Sequence, residues 1–347
     1  MEDLVVHNFM IKSHKIDYSV EFNNDLLAST EISNLGTHFI IDKNLLPLLD
    51  GKINSNQVVF IEATEDTKSF IGIAPIISAL LELNLKRDCK LVAIGGGITQ
   101  DITCFIANTF MRGIEWVFIP TTLLAQSDSC IGSKSSINFG KYKNLLGSFT
   151  PPNKVVICNQ FLKSLNEREI KSGIGEIVKL FFIDNKFIDY DWIRNNLDVS
   201  IFEALQIKKK FIEIDEFDRG IRNILNYGHC FGHAIESASN FNIPHGIAVA
   251  LGMNIANQFS LTAGLITSER YEKMRNILEK IYIEYVNFPI NREELYSALS
   301  KDKKNTGNKI NIILPVNNNI EKCGFDNNEQ FKTSSDHAIK STMINFH

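Results

Sequence analysis

Five short apolar runs punctuate the first half of the chain: HFIID (38–42), QVVFIEA (57–63), KLVAIGGG (90–97), WVFIPTT (116–122) and KVVIC (154–158). Each is too short for a helix that buries itself, and most end in small or polar residues, so they are predicted as strands. Residues 76–85 and 101–109 carry helical spacing between them. Strands alternating with helices can hardly assemble except as a parallel, doubly wound sheet, which takes its ligands beyond the carboxyl ends of its strands. From about residue 160 the pattern becomes helical, with 173–183, 202–214, 221–239 and 248–263 the clearest stretches and KINIILP (309–315) one late strand. The tail from Asn317, with NNN and DNNEQ, is expected to pack loosely. At 347 residues and 44% hydrophobic content the chain has enough apolar material for two cores. The change of pattern sets the expected division at 1–158 and 159–347.

Charge narrows the class of function. A net charge of −4 and a pI near 6.1 give no basic footprint for nucleic acid or an anionic membrane. The one lysine run, Lys208–Lys210, reads first as a solvated helix face. Six cysteines (89, 104, 130, 158, 230 and 323) form no C-x-x-C pair and read as reduced thiols of a cytoplasmic protein. MEDLVVHNF lacks the layout of a signal peptide, and no uncharged apolar run reaches membrane-spanning length.

Four stretches carry the chemistry. KLVAIGGGITQD (90–101) runs from a strand through three glycines into a helix, which lets a phosphate approach backbone N–H groups at a helix start. Three glycines alone are as often a tight turn. Residues 119–149 are too polar for a core, and Asp128, Lys134, Lys143 and Asn144 supply charges and an amide among many small residues. A backbone wrapped on a ligand is expected there, against the plainer reading of a surface loop with ion pairs. In SGIGEIVK (172–179), Glu176 and Lys179 stand three apart among apolar neighbours, so the carboxylate is expected to be partly buried. In RNILNYGHCFGHAIE (222–236), His229 and His233 share a helix face, and His245 follows a short loop later. Spacing alone nominates these three histidines as ligands of one metal.

Taken together, these stretches resemble the dehydroquinate synthase family, part of the sugar phosphate cyclases. The likeness runs from about Asp42 to Pro315 through GGGITQD, RG (112–113), PTTLLAQSDSCIGSK, YKNLLGSF, SGIGEIVK, RNILNYGHCFGHAIE, HG (245–246) and DKKNTG (302–307), in the family's order. It implies an amino-terminal, Rossmann-like NAD-binding α/β domain and a mainly α-helical carboxy-terminal domain that holds Zn2+ or, with the same ligands, Co2+. The implied metal ligands are Glu176, His229 and His245, with His233 moved to the substrate; three ligands leave the open position of a catalytic metal. For NAD the resemblance implies Asp42, Asn44, Glu65, Lys68, Gly96, Gly97, Asp101, Thr121, Thr122, Asp128, Lys134, Lys143, Asn144 and Ser164, the last where the family usually has threonine. For substrate it implies Arg112, Lys134 and Lys303 or Lys304 on a phosphate, and Lys208 and Arg222 on a carboxylate. Asp128, Lys179, Asn226 and His233 would surround the ring hydroxyls. Arg112 would reach across a dimer interface, implying a homodimer.

The activity so implied converts 3-deoxy-arabino-heptulosonate 7-phosphate to 3-dehydroquinate and phosphate. Hydride passes to NAD, phosphate is eliminated, the hydride returns, and an intramolecular aldol step closes the ring. Three departures bear on the substrate. Ile247 stands where the family usually has glutamate, Gly132-Ser133-Lys134 replaces G-G-K, and Cys104 replaces a frequent glycine. They keep open a related cyclase acting on a heptulose or hexose phosphate. A metal-dependent alcohol or glycerol dehydrogenase and a non-enzymatic NAD-binding module are the more distant alternatives.

Overall fold

In the computed structural model the described residues are 6–23, 36–49, 53–140, 142–300, 309–343 and 345–346. They form two compact units, Met1–Leu165 with Lys209–Phe217, and Asn166–Lys208 with Asp218–His347.

The first unit is built on a seven-stranded sheet. Its strands are β1 (Phe9–Ile11), β2 (Tyr18–Phe22), β3 (Thr37–Asp42), β4 (Val58–Ile61), β5 (Lys90–Gly95), β6 (Glu115–Pro120) and, after a separate hairpin, β9 (Lys154–Ile157). They lie in the order β1-β2-β9-β6-β5-β3-β4. Every neighbouring pair is parallel except β1–β2. The inner strands read as unbroken apolar runs because both faces are covered. Phe39, Ile41, Val92, Ile94, Val117, Ile119 and Val156 share one core. Helix α1 (Ile73–Glu82) precedes β5, and α2 (Gly97–Thr109) begins directly after its glycines and packs on β5 and β6. The chain steps from β3 out to β4, then crosses back to β5 on the other flank of β3. That reversal opens a crevice at the carboxyl ends of β3 and β5. The sequence suggests an all-parallel sheet, and the antiparallel edge strand β1 departs from it.

Residues 119–149, expected as a wrapped loop, are more regular than that. Ala125–Ser129 forms a π-helical turn, and Lys134–Phe139 (β7) pairs antiparallel with Tyr142–Phe149 (β8) as a hairpin of its own. The segment Lys209–Phe217 belongs here because Glu216 accepts hydrogen bonds from the Ser13 and Ser133 hydroxyls and from the His14 backbone N–H (2.8 Å).

The second unit is mainly helical: α3 (Glu167–Ile183), α4 (Tyr190–Asn195), α5 (Leu197–Ile212, which runs on into the first unit), α6 (His229–Ala238), α7 (His245–Thr262), α8 (Ser268–Tyr282) and α9 (Arg292–Ser300). Asn166 and Glu169 cap α3 reciprocally. Helix α7 is apolar on nearly every side and is packed by α3, α6 and α8, as a central helix must be. The predicted helix at 221–239 is broken. Ile221–Asn226 is a 3-10 turn, and Gly228, at φ +78°, redirects the chain before α6. The tail is also better packed than its polar composition suggests. Strand β10 (Lys309–Val316) pairs with β11 (Asn319–Asp326), and α10 (Glu329–Lys340) follows. Phe325 meets Phe259 of α7 edge to face and Phe331 lies tilted against it, which fixes both to the core. Among the described residues no helix is long and apolar enough to cross a membrane.

Candidate active site

Two constellations stand out, one in each unit. In the second unit the helices bearing the candidate ligands approach closely because each ligand adjoins a glycine. A Cβ on Gly246 would lie 1.8 Å from the Ser172 carbonyl oxygen, and one on Gly175 would lie 2.2 Å from the Gly246 carbonyl oxygen. Helices α3 and α7 therefore touch backbone to backbone, with Glu176 and His245 at the contact. The Gly246 N–H also donates to the Ser172 hydroxyl at 3.0 Å. At the α6–α7 crossing a Cβ on Gly252 would meet the Gly228 carbonyl oxygen at 2.1 Å, which brings His229 to the same place.

The side chains converge accordingly. Oε1 of Glu176 lies 3.1 Å from His245 Nε2 and 3.6 Å from His229 Nε2. His233, one turn along α6, joins them: the three rings have centroids 5.2–5.7 Å apart, and ligand atoms of the three histidines lie within 4.8 Å of one another. Glu176 is buried, at 1% exposure, and its other oxygen pairs with Lys179 at 2.5 Å. A carboxylate at that depth is retained only with compensating charge. One carboxylate and two or three imidazoles aimed at one point make a donor set that fits zinc or cobalt with a position to spare. Burial would lower the His245 pKa, but hydrogen bonds to Glu176 and Glu236 overcome it and push the imidazole up to about 10. A divalent cation would take the place of that proton. Lys208 on α5 and Arg222 in the 3-10 turn are among the cations that the unit buries, while Asn226 turns its amide to the Asn223 carbonyl at 2.9 Å.

In the first unit the centre is Lys68, which is buried. Its ammonium donates to Asp101 Oδ2 (3.0 Å) and Asn144 Oδ1 (2.9 Å). The other Asp101 oxygen accepts from the Ser136 N–H at 3.1 Å. Burial raises the Asp101 pKa, and the charge of Lys68 opposes that rise. Asn138 completes the group: its amide donates to Glu65 Oε2 at 2.8 Å, and its oxygen accepts from the Asn144 N–H at 2.9 Å. Lys143 lies 3.8 Å from Glu65. Thus Glu65, Lys68, Asp101, Lys143 and Asn144 form one network, although residues 65 and 144 are far apart in sequence.

The remaining candidates in this unit lie nearby along the strand ends or apart from the network. Gly96 and Gly97 start α2; the side chain of Thr122 accepts from the Ala125 N–H and Thr121 donates its N–H to Gly95, so β6 turns tightly beside the glycines. Asp128 sits in the π-helical turn, which Gln100 and Ser129 fasten to α2 through reciprocal bonds of 2.8 Å. Asp42 caps a 3-10 turn by accepting from the Asn44 N–H. Lys134 opens β7 exposed, and Ser164 closes a 3-10 turn on the Phe161 carbonyl. Arg112 is exposed on a strained turn, with positive φ at Met111, Arg112 and Gly113. Lys303 and Lys304 lie outside the described residues.

Sequence reasoning overlooked two participants. Asn138 offered no signal, being one amide in a polar stretch. Glu236 did: it follows His229 by seven residues and His233 by three, on the same helix face.

Comparison with known proteins separates the possible readings of this geometry. The 3-dehydroquinate synthase N-terminal family model matches residues 58–172, and the corresponding C-terminal model matches 173–305. The 3-dehydroquinate synthase of Helicobacter pylori (strain P12) is 38% identical over 264 residues, 75% of this chain and 77% of the relative. That of Thermoanaerobacter sp. (strain X514) is 32% identical over 360 aligned positions, covering 97% and 99% of the two chains. Among solved structures, a 2-deoxy-scyllo-inosose synthase complexed with carbaglucose-6-phosphate, NAD+ and Co2+ superposes with a TM-score of 0.85 at 22% identity, over 97% of this chain and all of that one. A 2-epi-5-epi-valiolone synthase from Streptomyces hygroscopicus subsp. jinggangensis 5008, with NAD+ and Zn2+ bound, superposes at 0.81 with 20% identity, over 95% and 98%. At those identities the structures establish the fold, and the sequence relatives carry the assignment. With both halves matched by its models and one relative aligned along nearly its whole length, this chain belongs to the 3-dehydroquinate synthase family.

Proposed function

We propose that the protein is a 3-dehydroquinate synthase that uses NAD and a divalent metal, zinc or cobalt, and turns over 3-deoxy-arabino-heptulosonate 7-phosphate. The observation that carries this reading is the convergence of His229 and His245 on one oxygen of buried Glu176 in a chain matched by both family models. When bound, NAD would supply a transient hydride acceptor and the metal a Lewis acid for the substrate hydroxyls. Everything else falls to the chain's own groups. Glu176, His229 and His245 would hold the metal. Glu65, Lys68, Asp101, Lys143 and Asn144 already form a network with the mixed charge and amides that a dinucleotide needs, beside the Gly96–Gly97 turn, with Asp42, Asn44, Thr121, Thr122 and Ser164 as outlying contacts.

Lys208 and Arg222 are two buried cations, suited to a substrate carboxylate because low polarity strengthens such pairs. Lys134, Arg112 and one of Lys303 or Lys304 would hold the phosphate. Lys179, 2.5 Å from Glu176, would hold a proton on a substrate hydroxyl, and Asp128, Asn226 and His233 would orient the ring. Most of the rate would come from orientation and fixed charge. We further infer a homodimer, with Arg112 serving the neighbouring subunit; its strained, exposed turn supports a role away from its own core. The six cysteine thiols, four of them buried, suit a reducing cytoplasm.

The test is phosphate release from the heptulosonate phosphate with NAD and zinc, run beside Glu176→Ala. Metal-dependent release that the variant loses while keeping its fold supports the reading. Equal release by both proteins overturns it.

A further inference from the structure

A histidine can ligate a cation through Nε2 only when its other nitrogen carries the proton, so whatever faces Nδ1 decides whether the ring is ready. For His229 that group is the Tyr227 carbonyl oxygen, 3.2 Å from Nδ1. For His245 it is a carboxylate: Oε2 of Glu236 lies 2.9 Å from Nδ1. A carbonyl or carboxylate oxygen accepts from a ring N–H, so in both rings Nδ1 is the donor and Nε2 is the nitrogen that faces Glu176 and would meet the cation. The two are not held equally. A carbonyl fixes orientation, whereas an ionised carboxylate also makes the ring a stronger electron donor.

The geometry favours Glu236 for this task. It stands on α6, on the face that bears His229 and His233, and reaches the first residue of α7 across the crossing at Gly232 and Gly252. Its side chain is largely buried, at 15% exposure, so water competes weakly for the bond. Position 247, two residues beyond His245, holds a fully buried isoleucine and offers that ring no polar atom. The side-chain partner of His245 Nδ1 comes from the neighbouring helix.

We propose that Glu236 is the positioning residue of the metal centre, holding His245 as the Nδ1–H tautomer and raising its affinity for the cation. The proposal rests on the metal-site reading above. It is tested by titrating wild type, Glu236→Gln, Glu236→Ala and Glu176→Ala with Co2+ alone, with chelator competition for affinity and the visible ligand-field spectrum for geometry. Thermal unfolding of each protein without metal serves as the check on folding. The expected result is a 10–100-fold weaker affinity in Glu236→Ala with an altered spectrum. Glu236→Gln, which keeps an acceptor for Nδ1–H but loses the charge, should fall between and keep a spectrum close to that of wild type. If both Glu236 variants match wild type in affinity and spectrum, the proposal is wrong while the metal site stands. If wild type itself binds no Co2+, or binds it as well without Glu176, the underlying reading fails and takes this one with it.

Discussion

Gly246→Ala probes how tightly the fold and the metal site are joined. The added Cβ would start 1.8 Å from the Ser172 carbonyl oxygen, whereas real Cβ contacts essentially never fall below 3.0 Å. Helices α3 and α7 must therefore separate by about 1.2 Å at this crossing, or Ser172 must move by as much. Neither is easy, because the obstacle is backbone, and the Gly246 N–H bond to Ser172 would be lost with the shift. Overpacking of this kind costs about 1–3 kcal/mol and sometimes more, which lowers the melting temperature by several degrees. The larger effect should fall on the site, since Glu176 rides on α3 and His245 on α7. A metal tolerates only about 0.2 Å of error in each ligand distance, so the displacement exceeds the tolerance several-fold. The expected outcome is a folded protein whose Zn2+ affinity is at least about 10-fold weaker, the range seen when a metal's surroundings are disturbed. Circular dichroism on heating and chelator-competed Zn2+ titration report the two effects separately. Gly264→Ala is the control: Gly264 has φ +70° and nothing near its missing Cβ, so the change should cost about 1 kcal/mol and leave metal affinity alone. Wild-type affinity in Gly246→Ala would refute the idea that this crossing sets the ligand geometry.

Three further outcomes are expected. Lys179→Met leaves Glu176 without its ammonium partner, so the metal-free protein should lose about 3–5 kcal/mol. Saturating Zn2+ should then raise the melting temperature more in the variant than in wild type, and equal rises would contradict this. Lys68→Met removes the charge between Asp101 and Asn144 and should weaken NADH binding about tenfold or more, measured by fluorescence titration. Unchanged binding would detach this network from the cofactor. Burial tends to raise the Glu216 pKa, but bonds from Ser13, Ser133 and His14 outweigh it and hold the carboxyl below its usual value. A lowered folded-state pKa stabilises the protein above the unfolded value near 4.3, and the benefit disappears as pH falls through the folded value. In urea unfolding, the gap between wild type and Glu216→Gln should be widest near pH 7 and close as the pH falls through the lowered folded-state value. A gap independent of pH would show that the carboxylate's charge is not what binds this segment.

The strands of the first unit were legible because β5 and β6 are buried on both faces and admit little but apolar residues. The π-helical turn and the β7–β8 hairpin were hidden, since their stability comes from long-range bonds such as those of Gln100 to Ser129 and Asn138 to Glu65. The tail misled for a related reason. Its asparagines mark turns and a helix cap, while Phe325 and Phe331 do the packing. At the site, helical spacing drew attention to His229 and His233. It could not reveal Glu176, whose place beside them depends on the close crossing at Gly175 and Gly246. Ile247 reads in the sequence as a missing carboxylate, but its burial in α7 shows a core position, where glutamate would bury a charge.

The most direct test of the central claim compares two sugar phosphates on the purified, zinc-loaded protein with NAD. Phosphate release is followed from 3-deoxy-arabino-heptulosonate 7-phosphate and from sedoheptulose 7-phosphate, which lacks the carboxylate that Lys208 and Arg222 are assigned to hold. Release from the carboxylated sugar alone, with no net gain of NADH, is the predicted result. Release from sedoheptulose 7-phosphate alone, or from neither, would contradict it.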